Sequence, residues 1–138
     1  MLKDDYKDFI SGNDTLRIYR DKVLVFSSKK EQLVPLMEYI GTREIGPEPV
    51  VLYDKVIGNA AALLAVKANA GEVRSPLGSE LAIKTLDRYG IKYHFDNTVP
   101  YIMRDDGRGM CPMEQLSIGK EPGEFYEIMK ERIKLKET

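Results

Sequence analysis

The chain has 138 residues, 43% hydrophobic and 31% charged, and its 21 basic and 22 acidic side chains leave a formal net charge of −1. That balance lacks the basic footprint of a nucleic-acid binder, and no block of like charge is long enough to make a tail. At this length folding buries roughly two-thirds of the surface of the unfolded chain, so one domain over residues 1–138 is expected. One cysteine cannot close an intramolecular disulfide, so packing must hold the fold, in a reducing, cytoplasmic setting. The longest apolar run, Ala60 to Val66, is far too short to span a bilayer.

Leu2, Tyr6, Phe9 and Ile10 recur at helical spacing, and Gly12 supplies a stop. TLRIY (15–19), the turn RDK and VLVF (23–26) predict an antiparallel hairpin. The continuous apolar run of its second strand places that strand deeper than the first. Ser28 to Glu31 has capping-box form ahead of Leu33, Leu36, Met37 and Ile40. Pro35 conflicts with so early a start, so the helix begins late or kinks. Residues 41–49 form a loop by their Gly and Pro content, and VVLY (50–53) predicts a strand covered on both faces.

Ile57, Ala60, Ala61, Leu64, Ala65 and Ala68 form a wide apolar stripe, the expected centre of the fold. EVRS (72–75) predicts a short strand, SELAIKTLDRY (79–89) a helix closed by Gly90, and IKYHF (91–95) a further strand that VPYI (99–102) either extends or follows as an edge piece. After the GRGMCPME loop come a short helix and a terminal one over 121–137. This order predicts a three-layer α/β/α sandwich on a mixed sheet of about five strands, mostly parallel, with one antiparallel member from the N-terminal hairpin.

In such sheets ligands bind beyond the carboxyl ends of strands, near the topological switch point. That rule selects Asp54 and Lys55, an adjacent acid and base able to position and polarise a carbonyl or amide; the alternative is a capping aspartate beside a solvated lysine. Gly58 and Asn59 open the next helix, and Gly58 with Ala60 and Ala61 would leave its amide donors open to an anion. Ser79 and Glu80 begin another helix beside a strand end, where capping and the helix dipole also explain them.

Cys111 fits a helix N-cap, with Pro112 at the first helical position and Glu114 reaching back to the Cys111 amide. The same position next to Arg108 would also activate a thiol. Metal binding by Cys111 and Glu114 with His94 or Asp54 is a third reading, poor in His and Cys for a catalytic zinc. His94 itself lies in an alternating strand, as a strand-face residue with a hydrogen-bond partner. The charged loop formed by Arg104, Asp105, Asp106 and Arg108 either closes over a pocket or is solvated.

YDKVIGNAAALL (53–64), SELAIKTL (79–86) and VPYIMRDDGRGMCPMEQL (99–116) resemble a small family of prokaryotic proteins of unassigned activity, grouped with the cytidine-deaminase-like fold. The likeness covers essentially the whole chain. Zinc deaminases carry a His-or-Cys, any residue, Glu motif on the helix after the hairpin and a Pro-Cys-x-x-Cys motif on the helix after the next strand. Here those places read Ser28-Lys29-Lys30-Glu31 and Asp54-Lys55-Val56-Ile57-Gly58. The resemblance therefore implies the fold without the zinc chemistry, and no metal or other cofactor is expected.

Two functions follow. One is a metal-independent enzyme using Asp54, Lys55, Cys111 and Glu114 on a small base, nucleotide or amide, with Gly58, Asn59, Ser79, Glu80 and Arg108 around the ligand. The other is a non-catalytic small-ligand or sensor domain. Neither takes a nucleic acid or membrane as partner, and self-association is an expectation for relatives of this fold.

Overall fold

The computed structural model describes residues 2–42 and 45–137, with side chains described from 5 to 134. Arg43 and Glu44 of the expected 41–49 loop lie outside the described residues. The elements run α1 (Leu2–Ser11), β1 (Leu16–Arg20), β2 (Val23–Ser28), α2 (Val34–Thr42), β3 (Val50–Asp54), α3 (Asn59–Lys67), β4 (Ala70–Ser79), α4 (Glu80–Arg88), β5 (Lys92–Val99), α5 (Pro112–Ser117) and α6 (Pro122–Glu137). The strands form one five-stranded mixed sheet in the order β2-β1-β3-β4-β5. β1 is antiparallel to both neighbours, whereas β3, β4 and β5 run parallel. The switch between the two regimes lies at β1 and β3, where the chain leaves the hairpin and begins its helical crossovers.

Alternation along the central strands separates two apolar layers. Leu16, Ile18, Val50, Leu52 and Val73 join the main core with residues of α2, α3, α4 and α6. Tyr19 and Tyr53 point to the other face and pack with Phe9 of α1. The sandwich is thus unequal, a thick helical layer on one side and α1 on the other. α3 runs through the middle of the thick layer: Ala60 through Ala65, and Ala68 just past its end, are all buried, and the alanines among them let neighbouring helices come close.

Several local expectations change. The hairpin is reversed in depth: β1 is buried between β2 and β3, while β2 is an edge with Val23 62% exposed. An apolar run reports covering of both faces only when the strand is interior, and hairpin order does not set which strand joins the sheet. α2 begins late, at Val34. Ser28 ends β2, and its hydroxyl accepts from the Lys30 amide at 3.1 Å, while Gln32 at φ 59° breaks the backbone before Pro35. α3 also starts two residues later than its apolar stripe, because Ile57 bridges to Gly78 as an extra rung beside β4.

That rung explains why β4 reaches Ser79, well past the expected EVRS strand. The Ile57 amide donates to Leu77 O at 2.9 Å and the Ser79 amide to Ile57 O at 3.0 Å. Gly78 is required there because the Phe95 ring lies over it: a Cβ would fall 2.1 Å from Phe95 Cδ2. β5 likewise absorbs the start of VPYI and ends at Val99.

Gly78→Ala forces the Phe95 ring away from β4 and is expected to cost about 1–3 kcal/mol. Urea denaturation of Gly78→Ala, Phe95→Ala and the double variant checks it. The two losses combine to less than their sum, since removing the ring removes the clash.

Candidate functional site

β3 ends at the switch point, and the next residues diverge. Asp54 lies on the strand face of Val50 and Leu52, toward the helical layer, half-buried. Burial pushes its carboxyl up from 3.8 to about 7, partly offset by hydrogen bonding from the amides of Val56 and Lys55. Lys55 goes to the opposite face. Its Nζ donates to Gly12 O at 2.9 Å and to Ile10 O at 3.3 Å, and it sits 4.8 Å from the centroid of the Phe9 ring. α1 has no basic residue in its last turn, so Lys55 supplies the positive charge that its carbonyl end favours. The adjacent acid and base therefore do not face a common substrate.

Glu114 occupies the start of α3. It is 2% exposed; Oε1 accepts from the Asn59 amide at 2.5 Å and Oε2 from the Ile102 amide at 2.9 Å. This replaces the expected contact with the Cys111 amide, which instead donates to Ile102 O at 2.8 Å. A carboxylate set on the first free amide of a buried helix answers both the unpaired donor and the positive end of the dipole. Gly58, the residue before α3, makes room: a Cβ there would fall 2.6 Å from Glu114 Oε1 and 2.7 Å from Ile102 Cγ1.

The network continues inward from Asn59, which is itself buried. Its Nδ2 donates to Ser117 Oγ at 3.0 Å and to Ser117 O at 3.2 Å, and its Oδ1 accepts from the Thr85 hydroxyl. Ser117 Oγ in turn donates to Glu114 O at 2.6 Å. α3, α4 and α5 are so tied through polar groups that satisfy one another. Among the described residues no buried side-chain nitrogen or oxygen lacks a partner.

The nine residues selected from sequence are distributed accordingly. Gly58, Asn59 and Glu114 meet at the α3 N-terminus. Ser79 is next to them through the Ile57 rung, and its hydroxyl caps α4 by accepting from the Ala82 amide at 3.0 Å. Cys111 is a half-buried helix N-cap whose thiol makes no capping hydrogen bond. Glu80 is exposed at the start of α4, and Arg108 is exposed in a self-contained loop. That loop is closed by the Met103–Met110 bridge and by the Arg108 amide donating to Asp106 Oδ1 at 2.9 Å. His94 is exposed on β5, 3.3 Å from Asp96. Sequence reasoning did not select Thr85, Ser117 or the Ile102 backbone; only the apolar spacing around them was visible.

A shallow hollow of about 260 Å³ lies beside α5, lined by Pro112, Met113, Gln115, Leu116 and Arg132, and includes none of the nine. No three His, Cys, Asp or Glu side chains among the described residues converge as a metal site, and no described helix is long and apolar enough to cross a membrane.

Glu114→Ala leaves two amides without acceptors and is expected to cost about 2–5 kcal/mol in chemical denaturation. Gly58→Ala, destabilising alone, costs less in that background because its clash with the carboxylate is gone and only that with Ile102 Cγ1 remains. Asp54 yields a pH signature. Its carboxyl holds a proton to about pH 7 when folded but only to about 3.8 when unfolded, so its contribution is intact below 3.8 and declines as pH rises toward 7. Asp54→Asn should flatten that decline, which is at most ~4 kcal/mol, when melting temperatures of the two proteins are compared from pH 4 to 8.

The family described as TM1506, a domain of unknown function (DUF1893), matches residues 6–133. A crystal structure of a DUF1893 family protein (TM1506) from Thermotoga maritima is similar over 95% of this chain and 88% of that one, with a TM-score of 0.84 and 28% sequence identity. No curated protein sequence matches the chain. With the family match spanning nearly its full length, the chain belongs to the DUF1893 family.

Proposed function

We propose that the chain is a small-ligand-binding domain of cytidine-deaminase-like fold that catalyses no metal-assisted hydrolysis. The fold assignment is supported by the element order, in which a helix and hairpin precede strand–helix alternation, and by the single antiparallel strand β1 beside a parallel β3-β4-β5. In zinc deaminases the helices after the hairpin and after the next strand carry the metal ligands. The residues at those places here, Ser28 to Glu31 and Asp54 to Gly58, do not fit a zinc ion, which takes about three His, Cys or carboxylate ligands.

One observation carries the binding reading: Glu114 spends both carboxylate oxygens on backbone amides, the first of α3 at Asn59 and that of Ile102. A group so engaged is not available to move a proton on a substrate. Lys55 is held on the other face of the sheet by α1. Of the proposed catalytic set, Asp54 keeps a polar group at the carboxyl end of a central strand, where open α/β sheets take ligands. With its carboxyl titrating near 7, Asp54 accepts from or donates to an N–H-bearing small molecule such as a base or amide. A cytoplasmic setting, with no nucleic acid or membrane as partner, belongs to the same reading.

The test is a thermal-shift and calorimetric screen of nucleobases, nucleosides and small amides, with each mixture assayed for product. Binding without turnover is expected, raising the melting temperature by mass action; Asp54→Asn should weaken it about tenfold or more, the loss of one charged hydrogen bond. Steady conversion of any compound, abolished in Cys111→Ser or Glu114→Gln, establishes the enzyme instead.

A further inference from the structure

The sheet has two edges of different character. β2 is six residues long and bulged: Ile18 pairs with Phe26 but Tyr19 with Leu24. β5 runs eight residues, Lys92–Val99, with no proline and no positive φ, and its register with β4 is regular on its own side. Lys92, Tyr93, His94, Asp96, Asn97 and Thr98 are all exposed. Among the described residues its outer edge has no strand partner. Long, unblocked edges are rows of free amides and carbonyls that natural sheets normally blunt or pair.

We propose that β5 pairs antiparallel with the β5 of a second copy of this chain, about a two-fold axis at Phe95, joining the two sheets into one. Outward-facing backbone groups alternate along a strand, so a two-fold pair must centre on a residue. Centring on Asp96 sets two carboxylates against each other, and centring on His94, although it opposes Lys92 to Asp96, shortens the overlap and opposes two imidazoles. Centring on Phe95 opposes Lys92 to Thr98 of the second copy, Tyr93 to Asn97, and His94 to Asp96 twice over.

Of the self-complementary registers this one has the longest overlap, because centring on His94 or on Asn97 pairs only five residues of the strand. The charged row lies on the α1 face, where Tyr6 Oη already donates to Asp96 Oδ2 at 3.0 Å and the Tyr6 and His94 rings meet edge-on at 6.5 Å. Asp96 is therefore oriented before the second copy arrives. On the helical face, Tyr93 and Phe95 pack together with ring centroids 5.4 Å apart, and the dimer sets Tyr93 opposite Asn97 of the second copy while the Phe95 ring stays over Gly78. Hydrogen-bonding polar pairs across strands are among the contacts that stabilise a sheet seam.

Sedimentation equilibrium should show a species of twice 15.7 kDa. His94→Asp, which opposes two carboxylates, should weaken it about tenfold or more, and adding Asp96→His in the same chain should restore it. Register is read separately in a Cys111→Ser background: His94→Cys chains mixed with Asp96→Cys chains form the mixed disulfide in preference to either self-disulfide. A chain that stays monomeric to ~1 mM, or a dimer that ignores His94→Asp or cross-links in another pattern, overturns the proposal.

Discussion

The carboxylate of Glu114 on the first turn of α3 is the contact on which the helical layer depends. α3 is apolar along nearly its whole length, so it must be buried, and burial denies water to its leading amides. An unmet donor there costs about 1–3 kcal/mol. Neither Gly58 nor Asn59 supplies a side-chain cap, so the acceptor has to come from elsewhere in the chain. It arrives from α5, 55 residues later in sequence than the amide it meets. Closing that contact also fixes Ile102 and with it the path of the segment that joins β5 to α5.

The consequence spreads through residues that look unrelated in sequence. Gly58 has to lack a side chain because the carboxylate and Ile102 fill the space. Asn59 has to be an amide because it faces a donor from Thr85 and acceptors on Ser117. On the other face, Lys55 does for the carbonyl end of α1 what Glu114 does for the amide end of α3. Two charges flanking the switch point are thereby committed to helix ends, one on each side of the sheet.

Periodicity was enough to place the helices and the mixed sheet, because apolar spacing is a direct consequence of which face is covered. The late start of α2 was foreshadowed by Pro35. Depth in the hairpin was not legible: Val23 to Phe26 are apolar enough for an interior strand, yet β1 takes the interior position through its pairing with β3. The capping geometry of Cys111, Pro112 and Glu114 was half right. Pro112 does open α5, but Glu114 turns away from its own helix, and no local pattern encodes a cap that one helix lends to another. The divergence of Asp54 and Lys55 was implicit in the two-residue period of a strand, which sends neighbours to opposite faces.

The filled α3 N-terminus limits which ligands the strand ends can take. An anion entering at those amides would have to displace Glu114 and leave a buried carboxylate without its donors, a cost of several kcal/mol charged against its own binding. A ligand shifts a protein only by its difference in affinity between two states, so an anion of ordinary affinity does not open this site. Asp54 adds to the same selection. Under the proposed binding reading, its half-buried carboxyl repels anions once ionised and favours molecules that present N–H groups. The α3 N-terminus thus differs from an open one: its first amide is met from within by Glu114, and the nearby acid, Asp54, lies half-buried toward the helical layer.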